Sequence, residues 1–307
     1  MNIDVKKIAP FMIALAAFCF GSAFVVTKGV LDAIPTFWVL AIRFTGAGII
    51  LAIIFHKRLK SITKDYISRS AVIGISLFLT YAFQVSGLNY TTPSKNAFLV
   101  VVYCVVVPLL YWAVDKKRPD IYNLVASVLC LSGIGFITLS GDGFSLNIGD
   151  ILTLIGGCCF AVTIVAVGKF VKDRDLFAMT ILQFMFFAIC AWIAVFITQP
   201  PTPEILANLQ VAAPEIAYLI VICSIVAFLC QNYGQRYTPP TNASILISLE
   251  APFAVILSML LGYDKLTLTM IIGFTLIFIS IICGETKFAF LRKNVVEATE
   301  IDTLSDN

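Results

Sequence analysis

The chain has 307 residues, of which 60% are hydrophobic and 13% are charged, and its mean hydropathy is +0.97 with a net charge of +3. Soluble domains carry about 25% charged residues. This composition excludes an ordinary soluble globular protein and indicates an all-α integral membrane protein.

Apolar segments follow one another along almost the whole chain. A membrane-spanning helix needs roughly 20 apolar residues, and these runs are continuous, without the alternation that is typical of barrel strands. We predict ten transmembrane helices, at residues 8–29, 35–55, 70–90, 93–114, 121–140, 148–170, 176–198, 214–235, 239–262 and 267–290.

The first segment, 8–29, is longer than the apolar core of a signal peptide, so we expect a helix of the mature protein. The longest connections are 200–213, the basic loop after Phe55 and the tail after Phe290. Since little chain is left for a soluble domain, we expect any function to be carried out within the membrane.

Lysines and arginines are concentrated in alternate connections. With the N-terminus in the cytoplasm, seventeen of them lie in cytoplasmic segments and Lys28, Lys95 and Lys265 lie outside. The positive-inside rule therefore predicts a multi-pass protein of the cell membrane with both termini cytoplasmic. Orientation and contacts with the lipid bilayer account for these charges, so no nucleic-acid partner is expected.

Two parts of the chain resemble each other. The segment QVSGLNYTTP from Gln84 matches QNYGQRYTPP from Gln231 at an offset of 147 residues. Earlier in each half, an offset of 140 matches Cys19-Phe20 with Cys159-Phe160, Phe37 with Phe177, and Phe44 with Phe184. We predict a first five-helix repeat at 1–145, a second at 146–290, and a cytoplasmic tail at 291–307.

Because five is an odd number, the second repeat would enter the membrane from the opposite side and run inverted. Two inverted repeats around a central cavity are typical of secondary transporters, whose substrate site lies near the middle of the bilayer. Pro93 and Pro240 stand at equivalent positions, each suited to the first turn of a helix.

Several segments resemble one known family. They are FVVTK (24–28), Arg43-Phe44, GLNYTTPSKNAF (87–98) with VVP (106–108), GDILTL (149–154) and SLEAPFAVILSMLLGYDKLT (248–267). Together they resemble the EamA-type ten-helix permeases of the drug/metabolite transporter superfamily, over nearly the whole chain. The resemblance implies export of small metabolites or amino acids, without ATP, from a central cavity.

Two positions depart from the family pattern. Asp264 stands where the family often has glutamate, at an external helix end that tolerates the exchange. Lys95 stands in a turn that family members usually fill with small residues. Its positive charge at this position bears on the charge of the substrate.

Arg43 and Glu250 are charged residues deep within predicted helices. A charge at the bilayer centre costs roughly 2.5–3.5 kcal/mol on insertion scales. At a rise of about 1.5 Å per residue, Arg43 lies roughly 12 Å and Glu250 roughly 15 Å into a core of ~30 Å, so the two lie at similar depths. Their equivalents in the other repeat are Gln183 and Tyr103, so duplication does not explain the charges.

Two interpretations of this pair remain open. Arg43 and Glu250 form a buried ion pair that only fixes helix packing, or Glu250 lines the central site and binds a substrate amine or exchanges protons. Pro252 favours an irregular, cavity-lining helix close to Glu250. Weaker candidates for substrate binding, which equally well bridge neighbouring helices, are Tyr81, Gln84, Asn96, Tyr103, Phe160 and Gln231.

The sequence lacks the residues that other functional classes require. The nine cysteines lie inside predicted helices without a CxxC motif, and we interpret them as small buried apolar residues. We expect no metal, no cofactor and no catalytic residues, because GxSxG and HExxH are absent and no paired carboxylates lie at a plausible membrane depth. A channel would require a ring of like polar groups from several subunits.

The sequence thus predicts a secondary transporter that exports small metabolites or amino acids by alternating access. The alternative is proton-coupled extrusion of drugs or other organic cations, for which Glu250 would serve as the acid. We expect a small-molecule substrate, protons as the coupling ion, and a monomer or homodimer.

Overall fold

The computed structural model of the protein describes residues 5–116, 118, 120–138, 147–263, 265 and 267–286. These residues are mainly helical and contain no β-strand. The α-helices are α1 (Val5–Leu31), α2 (Thr36–Ile54), α3 (Lys64–Leu88), α4 (Pro93–Val100), α5 (Tyr103–Asp115), α6 (Ile121–Thr138), α7 (Ile148–Phe170), α8 (Leu176–Thr198), α9 (Pro203–Val211), α10 (Ala213–Ile220), α11 (Ala227–Tyr237), α12 (Pro240–Ile247), α13 (Glu250–Leu260) and α14 (Leu268–Thr286). The predicted tail, Asp264 and the predicted boundary between residues 145 and 146 lie outside the described residues.

Eight helical stretches are long and apolar enough to cross a membrane, which makes the chain a multi-pass membrane protein. They are α1, α2, α3, α4–α5, α7, α8, α10–α11 and α12–α13. The two other predicted segments contain the shorter apolar helices Ile121–Gly133 and Leu268–Gly284. Eight of the predicted spans are therefore confirmed as apolar helices of sufficient length, and the total of ten remains a prediction.

Two spans predicted as continuous helices are broken near their middle. One break separates α4 from α5 at Val101 and Val102, and the other separates α12 from α13 at Ser248 and Leu249. Pro252 contributes to the second break, because it has no N–H for the Ser248 carbonyl. The Ala251 N–H donates to that carbonyl instead, at 3.1 Å, which tightens the turn.

A π-helical turn at Val221–Val226 joins α10 to α11. Within it the Ser224 hydroxyl donates to the Leu219 carbonyl, five residues earlier, at 2.9 Å. The N–H of Ala227, which follows the turn, donates to the Ile222 and Ser224 carbonyls and not to Cys223, its α-helical acceptor. This wider turn was not predicted.

The connection at 200–213 contains the exposed helix α9. Thr202 caps it by accepting a hydrogen bond from the Ile205 N–H at 3.3 Å, and Pro203 occupies its first turn, where a missing N–H costs nothing. The local sequence therefore specifies a helix that the hydropathy pattern alone did not indicate.

Two pairs of helices pack in antiparallel directions. Phe55, at the end of α2, stacks on Phe177 near the start of α8, with ring centroids 4.0 Å apart, while Trp38 contacts Trp192 nearer the other end. In the second pair, Ser280 of α14 donates to the Ala126 carbonyl of α6 at 2.7 Å. A Cβ on Gly133 would lie 2.7 Å from the Gly273 carbonyl, so α6 and α14 are also in close contact.

The helix ends form two sides. We call the side that holds Phe55, Asp115 and Phe170 the basic side. Here Arg58 pairs with Asp175 at 3.2 Å and Lys169 pairs with Asp115 at 3.0 Å. The opposite side holds the ends of α1 and α3, where Lys28 donates to the Leu88 carbonyl at 2.9 Å.

The centre of the molecule is an aromatic core around Phe44, which is fully buried. Its ring stacks on Phe187 at 3.6 Å and meets Tyr81 and Phe184 edge-on at 5.4 and 5.3 Å. Edge-on contacts such as those with Tyr81 and Phe184 stabilise aromatic pairs beyond their buried area. The core joins α2, α3 and α8 and supports one wall of the candidate site.

Candidate functional site

A narrow cavity of about 20 Å³ lies between helices of both halves of the chain. It extends from the middle of the molecule toward the opposite side, where α3 ends at Leu88. The lining residues are Phe20, Ala23, Phe24, Thr27, Arg43, Thr80, Tyr81, Gln84, Leu88, Val100, Phe160 and Glu250.

Glu250 is buried at the first position of α13, directly after the helix break. Its Oε1 accepts a hydrogen bond of 2.9 Å from the Tyr103 hydroxyl. Tyr103 is fully buried at the first position of α5, directly after the corresponding break. Each break thus places a polar side chain near the middle of a membrane-spanning segment, and the two side chains bind each other.

Arg43 is buried on α2 and is held by the π-helical turn. Its Nε donates to the Ser224 hydroxyl at 2.7 Å, and its Nη2 donates to the Cys223 carbonyl at 2.7 Å. The guanidinium lies over the rings of Phe44 and Tyr81, at 5.2 and 5.1 Å from their centroids. Such cation–π contacts are favourable for a desolvated cation.

The two predicted charges line the same cavity but have different partners. Within the part of the chain that the structure describes, no ion pair of 4.0 Å or less joins Arg43 to Glu250. The interpretation of a directly bonded ion pair is therefore wrong for this structure. A separated acid and base facing one cavity present a donor group and an acceptor group to a ligand.

Three weaker candidates, Tyr81, Gln84 and Phe160, also line the cavity. Tyr103 is not a lining residue, but its hydroxyl binds Glu250, which is one. Asn96 instead bridges helices, because its Nδ2 donates to the Gln84 carbonyl at 3.1 Å and to the Thr153 hydroxyl at 2.7 Å. Gln231 is fully buried in α11, away from the lining, and its Nε2 donates to Gln235 at 3.3 Å.

Several lining residues were not predicted. Thr27 and Thr80 contribute hydroxyls, and Phe24 contributes an aromatic wall. A threonine in a membrane helix commonly bonds its own backbone, as Thr80 does to the Ser76 carbonyl at 2.9 Å. The presence of a threonine at position 80 therefore did not indicate a cavity.

Asp150 was also missed. It is fully buried at the start of α7 and accepts a charge-assisted hydrogen bond of 2.7 Å from Lys95 of α4. It also accepts from the Asn147 N–H at 3.0 Å, which completes a capping box. Lys95 is thus engaged in an ion pair at the opposite side of the molecule and does not line the cavity.

The expectation that all nine cysteines are buried holds for only part of them. Six are buried, whereas Cys158 is exposed and Cys159 and Cys190 are half-exposed, because these three lie on outward faces of α7 and α8. Within the described residues, no group of three histidine, cysteine or acidic side chains could hold a metal ion.

Comparisons with known proteins agree with this architecture. The model of the EamA-like transporter family matches the chain twice, at 7–139 and 147–283. An uncharacterized transporter of Archaeoglobus fulgidus is 33% identical over 285 residues, covering 91% of this chain and 86% of that protein. A crystal structure at 14% identity superposes with a TM-score of 0.72, covering 92% of this chain and 98% of the other, which shows a shared fold.

A third comparison concerns half of the chain. The S-adenosylmethionine/S-adenosylhomocysteine transporter of Chlamydia muridarum is 25% identical over 167 residues, covering 51% of this chain and 52% of that protein. The two matches to the family model together span most of the sequence and include Arg43 and Glu250. The chain belongs to the EamA-like transporter family.

Proposed function

We propose that this protein is a secondary transporter that carries a small organic metabolite through the central cavity by alternating access. The observation that carries the proposal is the cavity itself, which is lined by Arg43 and Glu250 without a direct ion pair between them. Charged side chains inside a membrane are costly and are retained at substrate and ion pathways. Family membership supports transport, and the geometry supports this cavity as the site.

We further propose ten helices arranged as two inverted repeats of five. The family model matches twice, and the equivalent helices α2 and α8 pack antiparallel, as do α6 and α14. The breaks before Tyr103 and Glu250 also stand 147 residues apart, the offset found in the sequence. In such transporters the substrate site lies at the interface between repeats.

The proposed orientation places the basic side and both termini in the cytoplasm of the cell membrane. The concentration of lysine and arginine on that side supports it. The cavity then extends toward the outside, which is the geometry expected after an exporter has delivered its substrate. Export of metabolites or amino acids is the proposed direction and substrate class.

Glu250 is proposed to bind a substrate amine or to exchange a proton during the cycle. Its environment supports either role, because Tyr103 supplies one hydrogen bond and the cavity gives access to the carboxylate. The relative named for S-adenosylmethionine and S-adenosylhomocysteine supports a small organic metabolite as the substrate. Proton-coupled extrusion of organic cations is the second candidate, favoured by an acid beside the aromatic residues Phe20, Phe24 and Phe160.

The proposal is tested by untargeted mass spectrometry of the medium from cells that overproduce the wild type or Glu250→Gln. Glu204→Gln, the same change at an exposed position of α9, serves as the matched control. Membrane levels of all three proteins are measured. We expect compounds that are enriched by the wild type and by Glu204→Gln but not by Glu250→Gln.

Each other outcome has a defined meaning. Equal enrichment by all three proteins would support export and reject the role of Glu250. Absence of enrichment by the wild type, in cells shown to make the protein, would reject export of compounds present in those cells.

A further inference from the structure

A second group of buried polar side chains lies outside the cavity. We call Thr180, Gln183, Gln231, Asn232 and Gln235 the amide cluster; all are at most 2% exposed. The Asn232 Nδ2 donates to the Thr180 hydroxyl at 2.9 Å and to Gln183 Oε1 at 3.4 Å. The Gln235 Nε2 donates to the Ile164 carbonyl at 3.4 Å, so the cluster joins α7, α8 and α11.

The cluster is incompletely hydrogen-bonded. Gln183 Nε2, Gln231 Oε1 and Asn232 Oδ1 are buried without a hydrogen-bond partner. A buried polar group without a partner is costly, whereas apolar residues of similar shape would remove that cost. Packing of the present conformation therefore does not explain these amides, which together offer one donor and two acceptors to a ligand or to water.

The repeat explains where the cluster lies. At the offsets of 140 and 147 residues, Gln183 corresponds to Arg43, Gln231 to Gln84, and Gln235 to Leu88, and all three counterparts line the cavity. The carbonyl that Gln235 binds belongs to Ile164, which corresponds to Phe24 of the cavity wall. The amide cluster is thus the counterpart, in the second repeat, of the part of the cavity wall that the first repeat supplies.

Packing supports these correspondences. A Cβ on Gly87 would lie 2.6 Å from the Gly149 carbonyl, and a Cβ on Gly234 would lie 2.8 Å from the carbonyl of Ala9, the counterpart of Gly149. The aromatic core repeats as well. Tyr81 meets Phe44 at 5.4 Å, and the equivalent rings, Phe228 and Phe184, also meet at 5.4 Å.

The cavity and the amide cluster lie toward different sides of the molecule and differ in the free space that they contain. The cavity extends toward the opposite side, where α3 ends. The amide cluster lies toward the basic side, since Gln183 is near the start of α8 and Gln235 is two residues from the end of α11. The cavity leaves about 20 Å³ between its walls, whereas the five side chains of the cluster are packed with at most 2% exposure.

We propose that the amide cluster is a second, closed polar site, which opens on the basic side when the cavity closes on the opposite side. It would bind the uncharged hydrogen-bonding groups of the substrate, and water, through Gln183, Gln231 and Asn232. This inference rests on the proposed function. The cluster holds Gln183 where the cavity holds Arg43, so this second site has no guanidinium and recognises its ligand through amides.

Thiol labelling tests this site. Gln231→Cys, Gln84→Cys and Ile181→Cys are made in a chain with Cys158, Cys159 and Cys190 replaced by alanine, which supplies the baseline. Ile181 is fully buried on α8, beside Thr180 but outside the cluster. A membrane-impermeant maleimide is added to right-side-out vesicles and, separately, to inside-out vesicles.

We expect Gln84→Cys and Gln231→Cys to be labelled from opposite sides of the membrane. Gln231→Cys should react at least about ten times faster than Ile181→Cys, since a minor open state populated at even a few per cent exposes the first but not the second. Equal labelling of these two variants, or labelling of Gln231→Cys from the same side as Gln84→Cys, would overturn the proposal.

Gln183→Met provides a second test, because a binding role and a packing role of Gln183 predict opposite changes in stability. The variant keeps the volume and removes an amide whose Nε2 lacks a partner. We expect an unchanged or higher melting temperature together with reduced export of the compounds found in the medium. A lower melting temperature with unchanged export per folded molecule would show a packing role and reject the site.

The export screen keeps the two proposals distinguishable. Export by the wild type combined with equal labelling of Gln231→Cys and Ile181→Cys would reject the second site alone. Labelling from opposite sides without export would support the second site and reject the proposed export.

Discussion

Tyr103 and Glu250 bind each other across the two halves of the protein, at 2.9 Å, from equivalent positions directly after two helix breaks. The two positions stand 147 residues apart, and one carries a phenol where the other carries a carboxylate. The pair joins the two halves of the chain, and Glu250 lines the cavity.

The first prediction concerns this contact. Tyr103→Phe removes the donor, and a hydrogen bond to a charged group is worth about 1.5–3 kcal/mol. If Glu250 acts in transport, export should fall by about tenfold or more, since about 1.4 kcal/mol corresponds to a factor of ten. Tyr90→Phe, at an exposed tyrosine, is the control. Equal export by both variants, at equal membrane levels, would contradict the prediction.

The second prediction concerns Arg43. Lysine keeps the charge but lacks the planar group that binds Ser224 and the Cys223 carbonyl together. We expect Arg43→Lys to lower the free energy of unfolding by about 1–3 kcal/mol and to reduce export. Thermal unfolding in detergent and the export assay measure both effects. Arg118→Lys, at an exposed arginine, should change neither.

The third prediction compares two ion pairs. Asp150 is fully buried beside Lys95, whereas Asp115 and Lys169 are both partly exposed. Breaking a buried pair costs about 3–5 kcal/mol, and an exposed pair contributes about 0–1 kcal/mol. Asp150→Asn should therefore destabilise the protein much more than Asp115→Asn does. Thermal unfolding measures both, and equal melting temperatures would show that Lys95 does not stabilise Asp150.

The fourth prediction concerns a close helix contact. A Cβ on Gly234 would collide with the Ile13 side chain and lie 2.8 Å from the Ala9 carbonyl. We expect Gly234→Ala to cost about 1–3 kcal/mol, as other overpacked positions do. Gly135→Ala, on α6, has open space around the new Cβ and should be neutral or slightly stabilising. A similar melting temperature for both variants would mean that α1 and α11 separate easily.

Hydropathy predicted the eight long apolar helices because a bilayer requires such segments, whatever their packing. It did not predict the breaks at 101–102 and 248–249. Pro252 indicated irregularity close to the second break, but Val101 and Val102 resemble any other apolar helical residues. That turn depends on tertiary packing and on short backbone bonds, such as Cys104 N–H to the Val101 carbonyl at 2.8 Å.

The site was predictable where charge stands out from an apolar background. Arg43 and Glu250 were identified for that reason, and both line the cavity. Amides carry no such signal, because Gln84 and Gln231 match each other at the offset of 147 residues and yet only Gln84 lines the cavity. Which of them faces open space depends on the conformation of the protein and not on local sequence.

The π-helical turn at Val221–Val226 places an additional residue within one turn of the span. Deleting one residue there would restore a regular α-helix without rotating α11 relative to α10, because the wider turn absorbs the additional residue. Gly234 would still face α1, but the Cys223 carbonyl would again be bonded within its own helix and would no longer be free to bind Arg43. Alignments of relatives that allow no gaps inside helices would consequently assign the wrong residues to α11 in any protein that lacks this insertion.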